Sequence, residues 1–327
     1  MILAGDIGGT HARLAFFDVE DGRFNLVSAK IFPSREYSGL DQIVSEFLQT
    51  SDVNPDRACF GIAGPVRNGR VETSNLPWIV ESQSLANELK LKKVFLINDL
   101  EANAWGIVDL DVKDAVPLNQ VKGNPQGNQA VIAAGTGLGE AGMYWNGSQH
   151  EVFATEGGHA DFAPRNELEV ELFRYLNTEY GHVSYERILS GPGLVNVFHF
   201  LRDTGRGAEP KWLTDEMQHS DPAAAISQAA MGGKCALCEQ AVDIFVSVYA
   251  AEAGNLALKT MATGGVYLGG GIAPKMLSKM SGPLFMHAFA AKGRMQPLLE
   301  AIPVRVITND KIALVGAARY ASVKAEP

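Results

Sequence analysis

The sequence predicts an α/β fold with two domains, each containing one copy of a unit of three antiparallel strands followed by a helix. An apolar stretch at residues 2–7 runs into the turn Gly8-Gly9-Thr10 and leaves it as a strand, and residues 130–134 do the same at Gly135-Thr136-Gly137. Such self-similarity indicates a duplication. The length of 327 residues independently favours two domains.

The first copy continues through Asp21-Gly22, a typical hairpin turn, into an expected strand at residues 24–32 and a helix at residues 39–48. The apolar face of that helix would comprise Leu40, Ile43, Val44 and Phe47. Uninterrupted apolar runs follow at residues 58–63 and 93–97, and such runs are typical of parallel strands that are covered on both faces.

The second copy repeats this order. Asn146-Gly147 turns the chain, residues 151–155 return as a strand, and a helix follows. The apolar face of this helix would comprise Leu168, Leu172, Phe173 and Leu176. A further buried strand is predicted at residues 265–269 because that run is again continuously apolar.

The polar segment at residues 204–219 predicts a surface loop or a small insertion, because it contains Gly205, Gly207 and Pro210. Asp221-Pro222 after it is typical of a helix start, with an N-cap followed by proline in the first turn.

The end of the sequence predicts a strand at residues 302–307 and a helix at residues 312–321. We expect this last helix to cross back to the first domain. Residues 1–108 together with 310–327 would then form a small α/β domain, and residues 109–309 a large one.

Composition excludes several classes of partner. A formal net charge of −9 argues against nucleic acid or an anionic membrane surface, which attract clustered Lys and Arg. No stretch looks long enough to span a membrane. Met1 leads directly into the first strand, so no leader is expected, and three cysteines fit a reducing compartment better than a disulfide framework. These features predict a cytoplasmic protein.

Both glycine turns suit phosphate binding. Backbone N–H groups without a neighbouring Cβ can surround an oxyanion, and a threonine hydroxyl adds a donor. Neither turn is a Walker loop or a dinucleotide fingerprint, because no Gly-Lys-Ser/Thr follows and strands flank both sides. Each turn alone is also explained as a tight hairpin. The pair suggests one polyphosphate held between two halves.

Asp99 follows a buried strand, and ligand sites in α/β folds lie beyond the carboxyl ends of such strands. An acid at that position suits catalysis. The equal alternative is that Asp99 only caps the helix expected at residues 100–108.

A polar loop comprises Glu156, Gly157, Gly158, His159, Ala160 and Asp161. It is compatible with a metal half-site, a general acid/base pair, or a set of hydrogen-bonding groups for a polyhydroxylated ligand. One His and one Glu are too few ligands for zinc, and Cys235 and Cys238 are better explained as buried helix residues one turn apart.

Two further segments are distinctive. Residues 181–193 read GHVSYERILSGPG, in which Ser184 resembles an N-cap and residues 190–193 a helix breaker before a helix near residues 194–200. Residues 264–271 form a strand that ends in three glycines before a helix, which would let a flat ring approach the backbone.

Six strings of the sequence, taken in order, resemble the bacterial glucokinase family over essentially the whole chain. They are GDIGGT, IND, GTGLG, EGGHADF, HVSYERILSGPG and GGVYLGGGI. Residues 161–164 stand where the related repressor and sugar-kinase group carries a cysteine-rich zinc motif, so the chain resembles the zinc-free group. The resemblance implies a two-domain actin-like ATPase (ribonuclease H-like) fold with a duplicated βββα unit and an interdomain cleft.

The resemblance also implies the role of each residue in phosphorylating glucose at its 6-hydroxyl. Asp99 would be the general base, and the sugar-binding residues would be Asn98, Asp99, Glu156, His159 and Glu186. The ATP-binding residues would be Asp6, Gly8, Gly9, Thr10, Gly135, Thr136, Gly137, Gly269 and Gly270. Asp6 would face Mg²⁺ through water, and Gly269 and Gly270 would lie against adenosine.

The expected partners are glucose and ATP, with Mg²⁺ as cofactor, and the family suggests a homodimer. Two alternatives stay open from the sequence: a kinase of another hexose, and a non-catalytic actin-like sugar sensor.

Overall fold

The computed structural model describes residues 1–50, 53–73, 76–108 and 110–325. The chain divides into two compact units. Unit 1 comprises Met1–Val112, Val152–Ala154 and Asn309–Pro327, and unit 2 comprises Lys113–Glu151 and Thr155–Thr308. The sequence predicted domain boundaries after residues 108 and 309. Residue 109, at the first of these boundaries, lies outside the described residues.

The strands, in chain order, are β1 (Ile2–Ile7), β2 (His11–Glu20), β3 (Arg23–Pro33), β4 (Arg57–Ile62), β5 (Arg70–Glu72), β6 (Ile79–Glu81), β7 (Val94–Asn98), β8 (Ala115–Pro117), β9 (Gln129–Ala134), β10 (Leu138–Trp145), β11 (His150–Thr155), β12 (Gly265–Gly269) and β13 (Val304–Ile307).

The helices are α1 (Leu40–Leu48), α2 (Ser82–Leu89), α3 (Asp99–Ile107), α4 (Glu167–Tyr180), α5 (Gly191–Asp203), α6 (Lys211–His219), α7 (Pro222–Met231), α8 (Ala236–Thr260), α9 (Leu277–Met280), α10 (Pro283–Ala290), α11 (Gln296–Glu300) and α12 (Ile312–Ala325).

The sheet of unit 1 has the order β3-β2-β1-β4-β7. Strands β1, β2 and β3 pair antiparallel, and β1, β4 and β7 pair parallel. The register joins Ile7 to Ile62 and Ile62 to Asn98. The carboxyl ends of the three parallel strands therefore meet at one edge of the sheet.

Helices cover both faces of this sheet. Buried residues of α1 and α2 form a core on one face, and α3 and α12 form a core with Ile2, Ala4 and Cys59 on the other. Helices α3 and α12 approach closely, since a Cβ on Gly106 would overlap the carbonyl oxygen of Ile312 and a Cβ on Gly316 that of Ala102.

The main sheet of unit 2 has the order β11-β10-β9-β12-β13-β8. Strand β9 pairs antiparallel with β10 and parallel with β12. The register joins Ala134 to Leu138 and Ala133 to Gly269. The turn at residues 135–137 and the glycines after β12 therefore lie at the same edge of this sheet.

Helix α8 is the central helix of unit 2, and buried residues recur along its whole length. By length and composition alone it could cross a membrane, so the expectation that no stretch is long enough was wrong. The apolar stretch is 72% buried inside the protein, and the core helix of a globular domain passes the same test.

Two local predictions were also wrong. The segment at residues 204–219 contains helix α6, whose single buried residue, Leu213, gives little apolar signal in the sequence. Residues 191–193 do not break a helix but form the first turn of α5, because Ser190 caps that turn by accepting the Gly193 N–H at 3.0 Å.

Candidate functional site

Asp6 lies at the carboxyl end of β1, on the sheet edge that also carries Asn98. Two strand spacings separate β1 from β7, which corresponds to about 10 Å. A guanidinium nitrogen of Arg13 lies 3.7 Å from the Asp6 carboxylate. Burial raises the pKa of Asp6, and the positive charge of Arg13 opposes this rise only in part. A second cation beside Asp6 would therefore be favourable.

The turn Gly8-Gly9-Thr10 connects β1 to β2, as the sequence predicted. The N–H of Gly8 donates to the His11 carbonyl at 3.0 Å. Buried Ser34 supports the turn from the side, because its N–H donates to the Thr10 carbonyl at 3.0 Å and its hydroxyl to the Gly8 carbonyl at 2.8 Å. The sequence did not predict Ser34 as a support of this turn, because a serine in a polar connection carries no distinguishing signal.

Helix α3 begins at Asp99, and its N-cap is Asn98. Oδ1 of Asn98 and Oδ1 of Asp99 each accept the Leu100 N–H at 2.9 Å. The Asn98 amide also donates to the Gly64 carbonyl at 3.3 Å. Capping, which the sequence left open for Asp99, thus falls mainly to Asn98.

The second glycine turn closes on itself, with the Gly135 N–H donating to the Gly137 carbonyl at 2.8 Å. The Gly191 N–H supports this turn by donating to the Gly135 carbonyl at 2.8 Å. Thr136, in the middle of the turn, is exposed. The carboxylate of Glu186 covers the other side, where a Cβ on Gly137 would overlap its Oε2 atom. A side chain at residue 137 would therefore displace the Glu186 carboxylate from the turn.

Gly269 is the last residue of β12, and Gly270 follows with φ +78°. A Cβ on Gly270 would overlap the Ala134 carbonyl oxygen at the end of β9. Backbone conformation and close approach thus both require glycine there. A helical segment follows, as the sequence predicted; it is short and consists of a 3₁₀ turn at Pro274–Met276 and the single turn of α9.

The polar loop after β11 exposes Glu156 and His159, whose side chains are each 60% accessible and lie 3.9 Å apart. The two glycines between them lie on buried atoms of the sheet. A Cβ on Gly157 would overlap the carboxyl of Glu140, and one on Gly158 the Leu138 carbonyl oxygen. Only glycine lets this loop lie flat on β10.

Glu186 is adjacent to this loop. The Tyr185 N–H donates to the Ala160 carbonyl at 3.1 Å, and Asp161 pairs with Ser184 in an isolated bridge. Glu156, His159 and Glu186 therefore come from two turns that contact each other within unit 2.

Metal binding by the polar loop alone has little support. In the described parts of the chain, no group of three or more His, Cys, Asp and Glu side chains could hold a metal ion. Cys235 and Cys238 are both buried at the start of α8, where the Cys235 sulfur accepts the Cys238 N–H at 3.4 Å. The exposed side chains of Glu156 and His159 are accessible to a ligand, in line with the hydrogen-bonding interpretation of the polar loop.

Sequence comparison finds that residues 3–324 match the family model described as Glucokinase. The curated glucokinase of Nostoc sp. is 41% identical, with 98% of this chain and 99% of that protein covered. The glucokinase of Synechocystis sp. is 39% identical, with 97% and 96% covered.

Solved structures agree with this similarity. A glucokinase from an Antarctic psychrotroph is 31% identical, with a TM-score of 0.85 and 98% of both chains covered. A ROK family glucokinase from Streptomyces griseus, solved with glucose and AMPPNP, is 21% identical and has a TM-score of 0.67, with 98% of this chain and 99% of that chain covered. At that identity the likeness concerns the fold alone, a mixed α/β fold shared with sugar kinases.

Proposed function

This chain belongs to the glucokinase family, and we propose that it transfers the γ-phosphoryl group of ATP to the 6-hydroxyl of glucose, which gives glucose 6-phosphate and ADP. The observation that carries this proposal is the similarity of 98% of the chain to a curated glucokinase at 41% identity. In such a transfer the protein aligns the two substrates and stabilises developing charge.

Asp99 is assigned the role of general base. Its carboxylate accepts the proton of the 6-hydroxyl as that oxygen attacks the γ-phosphorus and the bond to ADP breaks. The Leu100 N–H that donates to Asp99, and its position at the start of α3, both favour the ionised carboxylate. The ionised form is the one that can accept a proton.

Four more residues are assigned to the other hydroxyls of glucose. They are Asn98 in unit 1 and Glu156, His159 and Glu186 in unit 2. Carboxylates accept hydrogen bonds from hydroxyls, whereas Asn and His can donate or accept, so the set can recognise a defined pattern of sugar hydroxyls. Exposure of Glu156 and His159 supports this assignment, because both side chains are accessible to a ligand.

The two glycine turns are assigned to the ATP phosphates, through Gly8, Gly9 and Thr10 in unit 1 and Gly135, Thr136 and Gly137 in unit 2. Backbone N–H groups in such turns bind oxyanions, and the two threonine hydroxyls are exposed. Gly269 and Gly270 are assigned to adenosine, because glycine lets a flat ring lie against the main chain.

Asp6 is assigned to Mg²⁺, directly or through water. The donor set fits this ion, which binds one or two carboxylates together with substrate phosphates and keeps several waters. The raised pKa of Asp6 supports the assignment, because a desolvated carboxylate gains from a nearby cation. When bound, the ion would neutralise charge on the phosphates.

Cell location and assembly are proposed from the resemblance to the family. We propose a cytoplasmic homodimer. We also propose that nucleic acid and membranes are not partners, because a net charge of −9 disfavours binding to anionic surfaces. We also propose an actin-like ATPase fold that arose by duplication, because β1–β3 with α1 and β9–β11 with α4 follow the same order.

A coupled assay of ADP release tests the function, with glucose, mannose, galactose and fructose compared at equal concentrations. We expect the highest kcat/KM with glucose. A higher kcat/KM with another sugar would assign the enzyme to that hexose. No ADP release with any sugar, while calorimetry still detects glucose binding, would instead support a non-catalytic sugar sensor.

A further inference from the structure

Two carboxyl groups are buried together in unit 2. Glu140 of β10 is 2% exposed, and Glu252 of α8 is 0% exposed. A buried carboxylate is costly unless it is paired or protonated. None of the roles assigned above uses either side chain, so their presence in the core needs another explanation.

The partners of the two carboxyls differ. Both oxygens of Glu252 are engaged, Oε1 by Lys259 at 3.3 Å and Oε2 by the Asn255 amide at 2.7 Å. Oε1 of Glu140 has no hydrogen-bond partner among the described residues. Burial, and then the negative charge of Glu252, raises the pKa of Glu140 to about 8. At neutral pH Glu140 is therefore the neutral acid, able to donate a hydrogen bond to Glu252.

The pair connects the two turns that carry the sugar-binding residues of unit 2. The carboxyl of Glu140 lies against Gly157, which follows Glu156. On the other side, the Asn255 amide that binds Glu252 also donates to the Tyr185 hydroxyl at 3.0 Å, and Tyr185 precedes Glu186. The chain of contacts thus runs from one turn to the other through the buried carboxyls.

We propose that Glu140 and Glu252 share one proton beneath the Gly157 turn, and that this proton holds Glu156, His159 and Glu186 in position for glucose. Glu140 is then a positioning residue for the sugar, an inference that rests on the proposed function of the site. Loss of the proton leaves two anions in contact. Their repulsion acts on the Gly157 turn, because the Glu140 carboxyl lies against Gly157.

Other charged and titratable groups around the pair set how firmly the proton is held. Lys259 lowers the pKa of Glu140, and Glu252 raises it. Lys292 interacts electrostatically with Glu252 and with Arg165. The hydroxyl of Tyr185 interacts with Glu252, and that of Tyr249 with Glu140. Burial raises the pKa of both tyrosines, so they stay neutral when Glu140 titrates.

The test is the pH dependence of KM for each substrate between pH 6.5 and 9.5. Below a pH of about 8 the proton is bound and KM for glucose should be constant. Above it, KM for glucose in the wild type should rise by up to about tenfold per pH unit, the limit for one proton. Any rise in KM for ATP should be smaller, because the network reaches the ATP-binding turn only through the Glu186 carboxylate that accepts the Leu138 N–H.

The variant Glu140→Gln keeps the shape and a donor but does not titrate. We expect its KM for glucose at pH 7 to lie within about threefold of the wild type, because a neutral donor is retained there. The rise in KM for glucose at alkaline pH should be absent from this variant. Glu216→Gln is the matched control, since it removes one negative charge from an exposed position on α6 and should keep the wild-type profile.

An identical alkaline rise in Glu140→Gln and the wild type would overturn the inference. If the variant fails to fold, infrared spectroscopy of the wild type decides. A protonated-carboxyl band should be present at pH 7 and titrate away at alkaline pH, and its absence at pH 7 would also refute the shared proton. Because the band needs no turnover, a wild type inactive on glucose would refute only the proposed function.

Discussion

The carboxylate of Glu186 rests on Gly137, and its Oε2 atom accepts the Leu138 N–H at 2.9 Å. One side chain assigned to the sugar is thus bonded to the turn assigned to the ATP phosphates, both within unit 2. Glu156 has no such link to that turn in the hydrogen bonds described above. The two glutamates should therefore behave differently when they are removed.

Glu186→Ala should raise KM for both glucose and ATP by about tenfold or more, because it removes a charge-assisted hydrogen bond to the turn as well as a sugar contact. Glu156→Ala should raise KM for glucose alone. Steady-state kinetics with each substrate varied in turn measures the split. An unchanged KM for ATP in Glu186→Ala would show that its bond to Leu138 has no part in nucleotide binding.

Asp99→Asn should lower kcat by about 10²- to 10⁴-fold, because an amide cannot accept the proton of the attacking hydroxyl. Glucose binding should be largely kept, since Asn98 still caps α3. Calorimetry and initial rates check the two parts. Asp41→Asn is the control, because Asp41 is also in the first turn of a helix, and a rate for Asp99→Asn within threefold of the control would leave Asp99 as a structural residue.

Gly270→Ala and Gly271→Ala form a matched pair. At residue 270 the positive φ and the Ala134 carbonyl both oppose a side chain, whereas a Cβ at residue 271 meets no atom within 4 Å. Backbone strain of this kind costs about 1–3 kcal/mol. We expect a raised KM for ATP and a lower Tm only for Gly270→Ala. Equal effects of the two substitutions would contradict the close approach to β9.

Asp6→Asn should raise the Mg²⁺ concentration that gives half-maximal activity by about tenfold, the effect of losing roughly 1.4 kcal/mol of binding. Its Tm should fall little, because burial already disfavours the charge that is removed. Mg²⁺ titrations at saturating ATP and glucose measure the effect. Asp18→Asn on β2 serves as control, and a Mg²⁺ dependence of Asp6→Asn equal to that control would remove Asp6 from the metal site.

The sequence predicted the elements whose signal is local. Continuous apolar runs marked β4, β7 and β12 to within one residue at each end, and the glycine turns were found at the expected strand ends. Helix α6 was missed, because Gly205, Gly207 and Pro210 before it favoured a loop and only Leu213 of this polar helix is buried.

The residues that hold the site in place could not be predicted from local sequence signals. A glutamate at residue 140 looks like any polar residue of a strand, and its partner Glu252 lies on α8, more than a hundred residues later in the sequence. Ser34 supports the Gly8 turn only because β3 returns beside β2. Such pairs arise from long-range register, which one sequence does not reveal.

The close approach of α12 to α3 has a consequence for biosynthesis. Helix α12 covers the face of the unit 1 sheet that carries Ile2, Ala4 and Cys59, yet the ribosome makes it after every residue of unit 2. Until α12 is made, only α3 is available to cover that apolar face, while unit 2 already has all its strands. Unit 1 can therefore complete its core only after all of unit 2 has been synthesised, and part of its apolar surface is exposed on the nascent chain until then.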